Sequence, residues 1–315
     1  MIGLVVRRLA AMIPLLLFVS FVVFSLITLV PGDPATTLAG GTDADFADIE
    51  AIREEMNLND PFLVQYAKWL GGAVQGDFGE SLLSGRPVYG EVKRAIPPTL
   101  GLVAATLILV IPVGLLLGLI SGLRPGSVRD KSVLTFTSAG IAMPSFWVAL
   151  LLVSFFAVRL KWLPPFGYEP FVDSPTEWAK RMIMPAIALS ASAIAVVSRQ
   201  LRGGLADVMT APYIRTAWAK GGSGHQVIAG HALKNAAMPA VTVLGLQTAV
   251  LLGGSIIIEQ IFTIPGLGTY LLRAINQQDL PSIQAVALLY VVINVMINLI
   301  VDIAYGFLNP KVRAA

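Results

Sequence analysis

The chain contains no cysteine and only two histidines among its 315 residues. Without cysteine it can form no disulfide framework and run no thiol chemistry. His225 and His231 fall in one short stretch, too few for a metal cage, and each reads as a helix-surface residue. No metal site and no catalytic constellation are therefore expected. Charge is also scarce. Asp, Glu, Lys and Arg make up 13% of the residues, against roughly 25% in soluble domains, and no polar stretch is long enough to form a separate soluble domain. The net charge of +3 gives no footprint for nucleic acid, and no such partner is expected. A glycine-rich loop closing on Lys-Ser or Lys-Thr, the phosphate cradle of P-loop ATPases, is absent. If ATP drives this protein, another chain binds it.

Long apolar runs are abundant. The chain is 56% hydrophobic with a mean hydropathy of +0.76, the composition of a polytopic membrane protein. Stretches long enough to cross a bilayer occur at about 9–30, 99–123, 132–158, 182–198, 239–262 and 283–308. The expected fold is an all-α integral membrane protein of six transmembrane helices, one transmembrane unit over residues 1–315. The first run is too long for a signal-peptide core and reads as an uncleaved span with its N-terminus inside. That topology puts twelve Lys and Arg on inside segments and five on the short outside loops, as the positive-inside rule asks. Its weakest point is the loop 159–181, which carries four of those five.

The long outside loop, 31–98, holds most of the acids. Thr42 can cap a helix with Asp43 and Asp45 in its first turn, an apolar face at Phe46, Ile49, Ile52 and Met56, and an end at Asn57. Asn59 or Asp60 before Pro61 can open a second helix, with Phe62, Tyr66, Trp69 and Leu70 on one face. Two amphipathic helices in such a loop read as an extracytoplasmic lid.

Within the spans, Gly114, Gly118 and Gly122 form a small-residue stripe that admits a close neighbour, in this chain or across a dimer. Met143-Pro144-Ser145 interrupts the third span, because proline removes a backbone hydrogen bond and kinks a helix; the kink either lines a path or serves packing. The fourth span is short before Arg199 and Arg202, so its helix is expected to run on into the loop 199–238. Gln247 and Glu259 are the only strongly polar side chains of the fifth span, and Glu259 either faces the pathway mouth or sits at the interface. Asn294, Asn298 and Asp302 stack on one face of the sixth, toward the bundle or an aqueous path. They act either in gating or in interhelical hydrogen bonding.

The loop 199–238 is not a plain connector. Pro212 can take the first position of a helix continuing through Tyr213, Ile214, Arg215, Thr216, Ala217, Trp218, Ala219 and Lys220. Gly221-Gly222 can supply the left-handed stop. Ser223 with Gln226 reads as a capping box opening a second helix that runs toward Pro239. A short basic and aromatic helix held between two spans suits docking onto another protein.

Arg215-Thr216-Ala217, Ala219-Lys220-Gly221, His231-Ala232-Leu233, Asn235-Ala236 and Pro239 resemble the coupling loop of binding-protein-dependent ABC importer permeases. The likeness is closest to the first membrane subunit of dipeptide and oligopeptide systems. Other strings that are similar to this family include Pro31-Gly32-Asp33-Pro34, Gln65-Tyr66 with Trp69, Asp77 to Ser81, Met143 to Trp147, Pro265 to Gly268, Asp279-Leu280-Pro281, and Asn298-Leu299 with Asp302 and Tyr305. Trp218, Gly222, Lys234 and Ala211-Pro212 depart from its usual pattern. The resemblance implies a permease subunit in the bacterial cytoplasmic membrane, both termini cytoplasmic, paired as a heterodimer with a homologous second permease. It also implies two ATP-binding subunits that carry ATP and Mg and dock on Tyr213–Gly221, and an extracytoplasmic binding protein. Arg215 would meet acidic or carbonyl acceptors, Ala217 would permit close approach in the ATPase groove, and Gly221 would turn the chain. Pro144, Ser145, Gln247, Glu259, Asn294, Asn298 and Asp302 become candidates for the path or gate; Tyr66, Trp69, Asp279 and Pro281 for the lid or docking surface. Peptides are the implied substrate, with nickel, glutathione and haem as alternatives. An ion-coupled secondary transporter is the rival class and would need mid-membrane carboxylates or broken-helix carbonyls with an internal repeat.

Overall fold

In the computed structural model, residues 2–25, 35–36, 45–55 and 58–308 are described, and they are overwhelmingly helical. The helices are α1 (Ile2–Ser25), α2 (Phe46–Glu55), α3 (Phe62–Val74), α4 (Val88–Gly122), α5 (Val128–Ala142) and α6 (Ser145–Leu152). They continue as α7 (Pro175–Met209), α8 (Pro212–Ala219), α9 (Gly224–Val227), α10 (Leu233–Phe262), α11 (Leu267–Asn276) and α12 (Leu280–Leu308). Wider π-helical turns extend α6 over Val153–Arg159 and join α9 to α10 over Ile228–Ala232. The only extended pairing among the described residues is a bridge between Glu80 and Pro87.

Among the described residues, four helices are long and apolar enough to cross a membrane: Val88–Gly122, Pro175–Met209, Gly224–Phe262 and Leu280–Val301. A fifth candidate is the pair Val128–Ala142 and Ser145–Arg159, bent by 98°. Pro144 causes this break: it serves as the N-cap of α6, with φ −61° and ψ 139°. The expected kink is thus closer to a right angle. Of the first run, Ala10–Ser25 forms a shorter apolar helix, and residues 26–30 lie outside those described.

The chain divides into two compact units. The first comprises residues 98–265 and the terminal segments, 1–8 and 294–315. Its spine is α7, capped by Ser174, whose hydroxyl accepts from the Glu177 N–H, with Pro175 opening the helix. The helix begins at Pro175 and ends at Met209, so it overruns the apolar run 182–198 at both ends, including into the following loop as anticipated. Three neighbours meet α7 at backbone distance. A Cβ on Gly118 of α4 would lie 2.8 Å from the Ser198 carbonyl oxygen, and one on Gly140 of α5 would lie 3.0 Å from that of Ala191. A Cβ on Gly204 of α7 itself would come within 2.5 Å of the Ala236 carbonyl oxygen on α10. Helices in lipid gain little from apolar burial against each other, so close backbone approach through small residues supplies the packing energy. The stripe Gly114, Gly118 and Gly122 therefore finds its partner in this chain, at Val197, Leu201 and Leu205.

The second unit comprises residues 9–97 and 266–293. Phe21 and Phe24 of α1 meet the rings of Phe62 and Tyr66 of α3, and Phe24 also meets Trp69. The first turns of α4 bury Val88, Val92 and Ala95 with Leu267, Ala285 and Val286. That burial explains why α4 starts at Val88 rather than at Thr99: these turns are amphipathic, and hydropathy alone does not register them.

Two local expectations change. Helix α2 opens at Phe46 with Asp45 before it, the Asp45 side chain accepting from the Ala47 N–H; Thr42, Asp43, Met56 and Asn57 lie outside the described residues. Pro61, not Asn59 or Asp60, takes the N-cap of α3. Asp60 is engaged by Lys68 at 2.7 Å. Pro239 lies within α10, so the helix opened at Ser223 runs through it into the fifth span, as expected.

Candidate functional site

Helix α8 forms as its sequence dictates. Pro212 occupies its first position. At its end the Gly222 N–H reaches the Ala217 carbonyl at 3.2 Å and the Gly221 N–H reaches that of Trp218 at 3.0 Å. This is the double bond of a Schellman stop, and Gly221 provides the left-handed residue with φ +79°. At Gly222, a departure from the resembling family, a Cβ would meet Val227 Cγ2 at 2.9 Å and the Ala217 carbonyl oxygen at 3.0 Å, so a larger residue would require the turn to shift slightly. Ser223 and Gln226 then close a reciprocal capping box.

The helix has two faces. Ile214 is fully buried in a cluster with Leu201 and Leu205 of α7, Val227 of α9, and Ala232, Ala236 and Ala240 at the start of the α10 rod. Ala217, one turn on, packs half-buried against the same cluster. It thus touches the protein's own platform while keeping part of its surface open. Arg215, Thr216, Ala219, Lys220 and Gly221 are exposed, as are Tyr213 at 44% and Trp218 at 43%. Tyr213 is nevertheless fixed, since Asn235 of α10 donates to its hydroxyl at 3.1 Å and to the His231 carbonyl at 3.0 Å. The result is a rigid ledge with an outward cationic and aromatic rim.

A second feature secures the ledge from below. Arg202 of α7 donates from Nε to Asp130 Oδ1 at 2.6 Å and from Nη2 to Oδ2 at 2.7 Å. Asp130 also accepts from the Ser121 hydroxyl and from the Gly126 N–H. Sequence reasoning counted Arg202 only as a basic residue and missed Asp130, hidden between Arg129 and Lys131. The Gly203-Gly204 pair inside a helix was the readable sign of a close contact here.

The other candidates scatter. Glu259 is fully buried in α10 and accepts from the Thr99 hydroxyl of α4 at 2.7 Å, so it faces protein and is not merely interfacial. Gln247 is half-buried. Asn298 donates to the Asn294 carbonyl and side-chain oxygens at 3.0 and 2.7 Å, so the two form one local pair; the side chain of Asp302 lies outside the described residues. Pro144 is exposed and Ser145 half-buried at the break. In the other unit, Tyr66 shares a hydrogen bond with Ser20 and donates to the Leu17 carbonyl; it and Trp69 face α1. Asp279 is a buried hub: Ser81 and Ser282 donate to Oδ2 at 2.6 and 2.7 Å and the Leu82 N–H donates to Oδ1. Tyr270 pairs with Ser282 at 2.7 Å, and burial pushes its phenol above the ordinary range. Pro281, beside the hub, is half-buried.

Two family models cover almost the whole chain. Residues 114–314 match the inner membrane component of binding-protein-dependent transport systems, and residues 1–103 match the N-terminal part of such membrane components. The chain belongs to this permease family. A putative peptide transport system permease of Brucella abortus is 39% identical over 313 residues, 99% of each chain. A probable peptide ABC transporter permease of Sinorhizobium fredii is 37% identical over 98% of each chain. The glutathione transport system permease of Escherichia coli is 38% identical over 99% of each. The permease is thus a multi-pass membrane component of an ABC import system, a class of system that works with ATP-binding and substrate-binding partner proteins. An ion-coupled secondary transporter is set aside by that membership.

Proposed function

We propose that this permease carries short peptides inward across the bacterial cytoplasmic membrane by alternating access, driven through α8. In this reading residues 1–315 are one permease domain of six spans, the run at 9–30 being the first and the bent pair at Pro144 the third. Both termini and the loop 199–238 are cytoplasmic. The chain forms a heterodimer with a homologous permease, carries out no hydrolysis itself, and leaves ATP and Mg to two partner subunits. An extracytoplasmic binding protein delivers the peptide.

The observation that carries this reading is the two-faced build of α8: an immobilised inner face at Ile214 and Ala217 and a free rim at Arg215, Trp218 and Lys220. A connector needs neither. A helix that receives a push needs both, because a rim contact moves the spans only if the ledge does not yield. Short peptides are favoured among substrates because relatives similar over their full length are named for peptide and for glutathione transport, and glutathione is itself a tripeptide. Glu259, Gln247, Asn294, Asn298, Asp302 and the break at Pro144-Ser145 are proposed to line or gate the path. The α3 surface around Tyr66 and Trp69 and the Asp279-Pro281 corner are proposed to frame the docking side.

The test is uptake of labelled trialanine and glutathione into proteoliposomes holding the permease with its co-expressed partners and binding protein. Uptake of either peptide, dependent on ATP and insensitive to ionophores, is the expected result; ATP-dependent uptake of nickel or haem alone would overturn the peptide reading. Gly221→Val, which forces a β-branched residue into φ +79°, should leave the permease in the membrane. It should also cut uptake per ATP hydrolysed by about tenfold, within the range of ordinary coupling free energies. Unchanged uptake would remove Gly221 from the coupling role.

A further inference from the structure

We propose that Asp130 is a positioning residue for transport: its clasp with Arg202 makes the α4–α5 turn and the base of α7 a single body. Motion received at α8 then reaches the broken α5–α6 span without slippage. This rests on the proposed coupling role of α8.

The argument begins with cost. Asp130 is 1% exposed, and burying a carboxylate is expensive unless the charge is paired and its remaining lone pairs are used. Here every requirement is met by groups from three places: the guanidinium fork of Arg202 on α7, the Ser121 hydroxyl near the end of α4, and the Gly126 N–H in the turn. The paired geometry of the fork fixes orientation as well as distance, which a lysine could not do. A generic surface charge pair would need no such enclosure.

Position gives the clasp its use. Arg202 stands between Leu201 and Leu205, the two α7 residues that pack with Ile214 under the docking helix. On the other side, a Cβ on Gly122 would lie 3.1 Å from the Arg202 Cα, so α4 already touches the backbone at this point. Contact alone resists separation but not sliding, because small-residue faces are smooth. The fork adds the missing resistance to sliding. A second tie strengthens it one turn away, where Arg199 donates to the Ser138 hydroxyl of α5 at 2.7 Å. Beyond Ser138, α5 ends at Ala142 and the 98° break follows. Displacement of α8 therefore has a continuous stiff route through α7 and α5 to the break.

The experiment uses the whole complex. Because the permease has no cysteine, Lys131→Cys and Asp207→Cys, both exposed, are the only labelling sites it contributes. They carry spin labels on α5 and α7 in a complex whose partner subunits have had their cysteines replaced. Distances are measured by pulsed electron resonance with nucleotide-free and ADP-vanadate-trapped ATPases. The expected result is one narrow distance, equal in both states, that broadens in Asp130→Asn. In unlabelled Asp130→Asn complex, uptake per ATP hydrolysed should fall by about tenfold while hydrolysis persists, the size of a typical coupling free energy. A merely structural role would lower both together. Should Asp130→Asn fail to assemble, Arg202→Lys, which keeps the charge and loses the fork, is read in the same way. A distance in the labelled Asp130 protein that shifts on trapping overturns the proposal, as does an Asp130→Asn complex with unchanged distance and coupling. An unsubstituted complex that hydrolyses no ATP would instead overturn the importer reading itself.

Discussion

The two compact units of this permease differ in the contacts that dominate between their helices. In the unit built on α7, backbones touch: Gly118, Gly122, Gly140 and Gly204 each stand where a single added carbon would press on the neighbouring helix. In the unit built from α1, α3, α11 and the start of α12, the ties are large rings and a hydrogen-bonded carboxylate at Asp279. Lipid gives the first unit little hydrophobic drive between helices, so it must use close packing. The second draws on loops and amphipathic turns, where polar groups from distant segments can meet. Close packing, tied against sliding by the Asp130–Arg202 clasp, yields a stiff element suited to passing on motion. Hub-and-ring packing depends on a few residues, and each should be individually expensive to lose.

That contrast can be broken in order of expected effect. Asp279→Ala leaves the Ser81 and Ser282 hydroxyls and the Leu82 N–H without their acceptor, at a cost of about 3 kcal/mol for buried unpaired donors. The loop before α4 should loosen, and limited chymotryptic cleavage after the exposed Leu83 should accelerate at least several-fold. An unchanged cleavage rate would mean the hub is not what holds that loop. Next come two adjacent glycines with opposite expectations. Gly204→Ala places a Cβ 2.5 Å from the Ala236 carbonyl oxygen and should destabilise by about 2 kcal/mol through overpacking. Gly203→Ala meets nothing within 4 Å and should stabilise by up to about 1 kcal/mol through helix propensity. Thermal unfolding in detergent compares them directly, and equal shifts would contradict backbone contact at Gly204. The smallest effect is expected from Tyr66→Phe. It retains the ring contacts and loses the bonds to Ser20 and Leu17, at about 1 kcal/mol, read in the same unfolding assay; a loss as large as that of Asp279→Ala would mean hydroxyl bonding, not ring packing, holds α3 to α1.

What could be read from the sequence was local chemistry. The start, stop and restart around α8 were legible because Pro212, Gly221, and Ser223 with Gln226 act on their immediate neighbours. The glycine stripe on α4 was legible as a contact, though its partner was not, since a stripe does not name what it touches. Helices run beyond the apolar spans wherever an amphipathic turn extends them, as at Val88 and Pro175, because hydropathy marks the membrane and not the helix. The inner side of α8 was not legible, because eight residues of mixed polarity leave it ambiguous until Ile214 is seen buried. The pairs hardest to anticipate join residues far apart in the chain: Asp130 with Arg202 across 72 positions and Ser81 with Asp279 across 198. Their charges and hydroxyls look like ordinary loop polarity until folding brings them together.

The central claim is that the outer rim of α8 is where the ATPase pushes. The most direct test introduces single cysteines at Arg215, at Trp218 and, as a control, at the exposed Ile275 of α11, and applies a short bifunctional thiol cross-linker to the purified complex. The account predicts adducts between an ATP-binding subunit and the cysteines at 215 and 218, with a yield that changes on nucleotide binding, and none at 275. Adducts at 275, or a rim that reacts with no ATP-binding subunit, would contradict it.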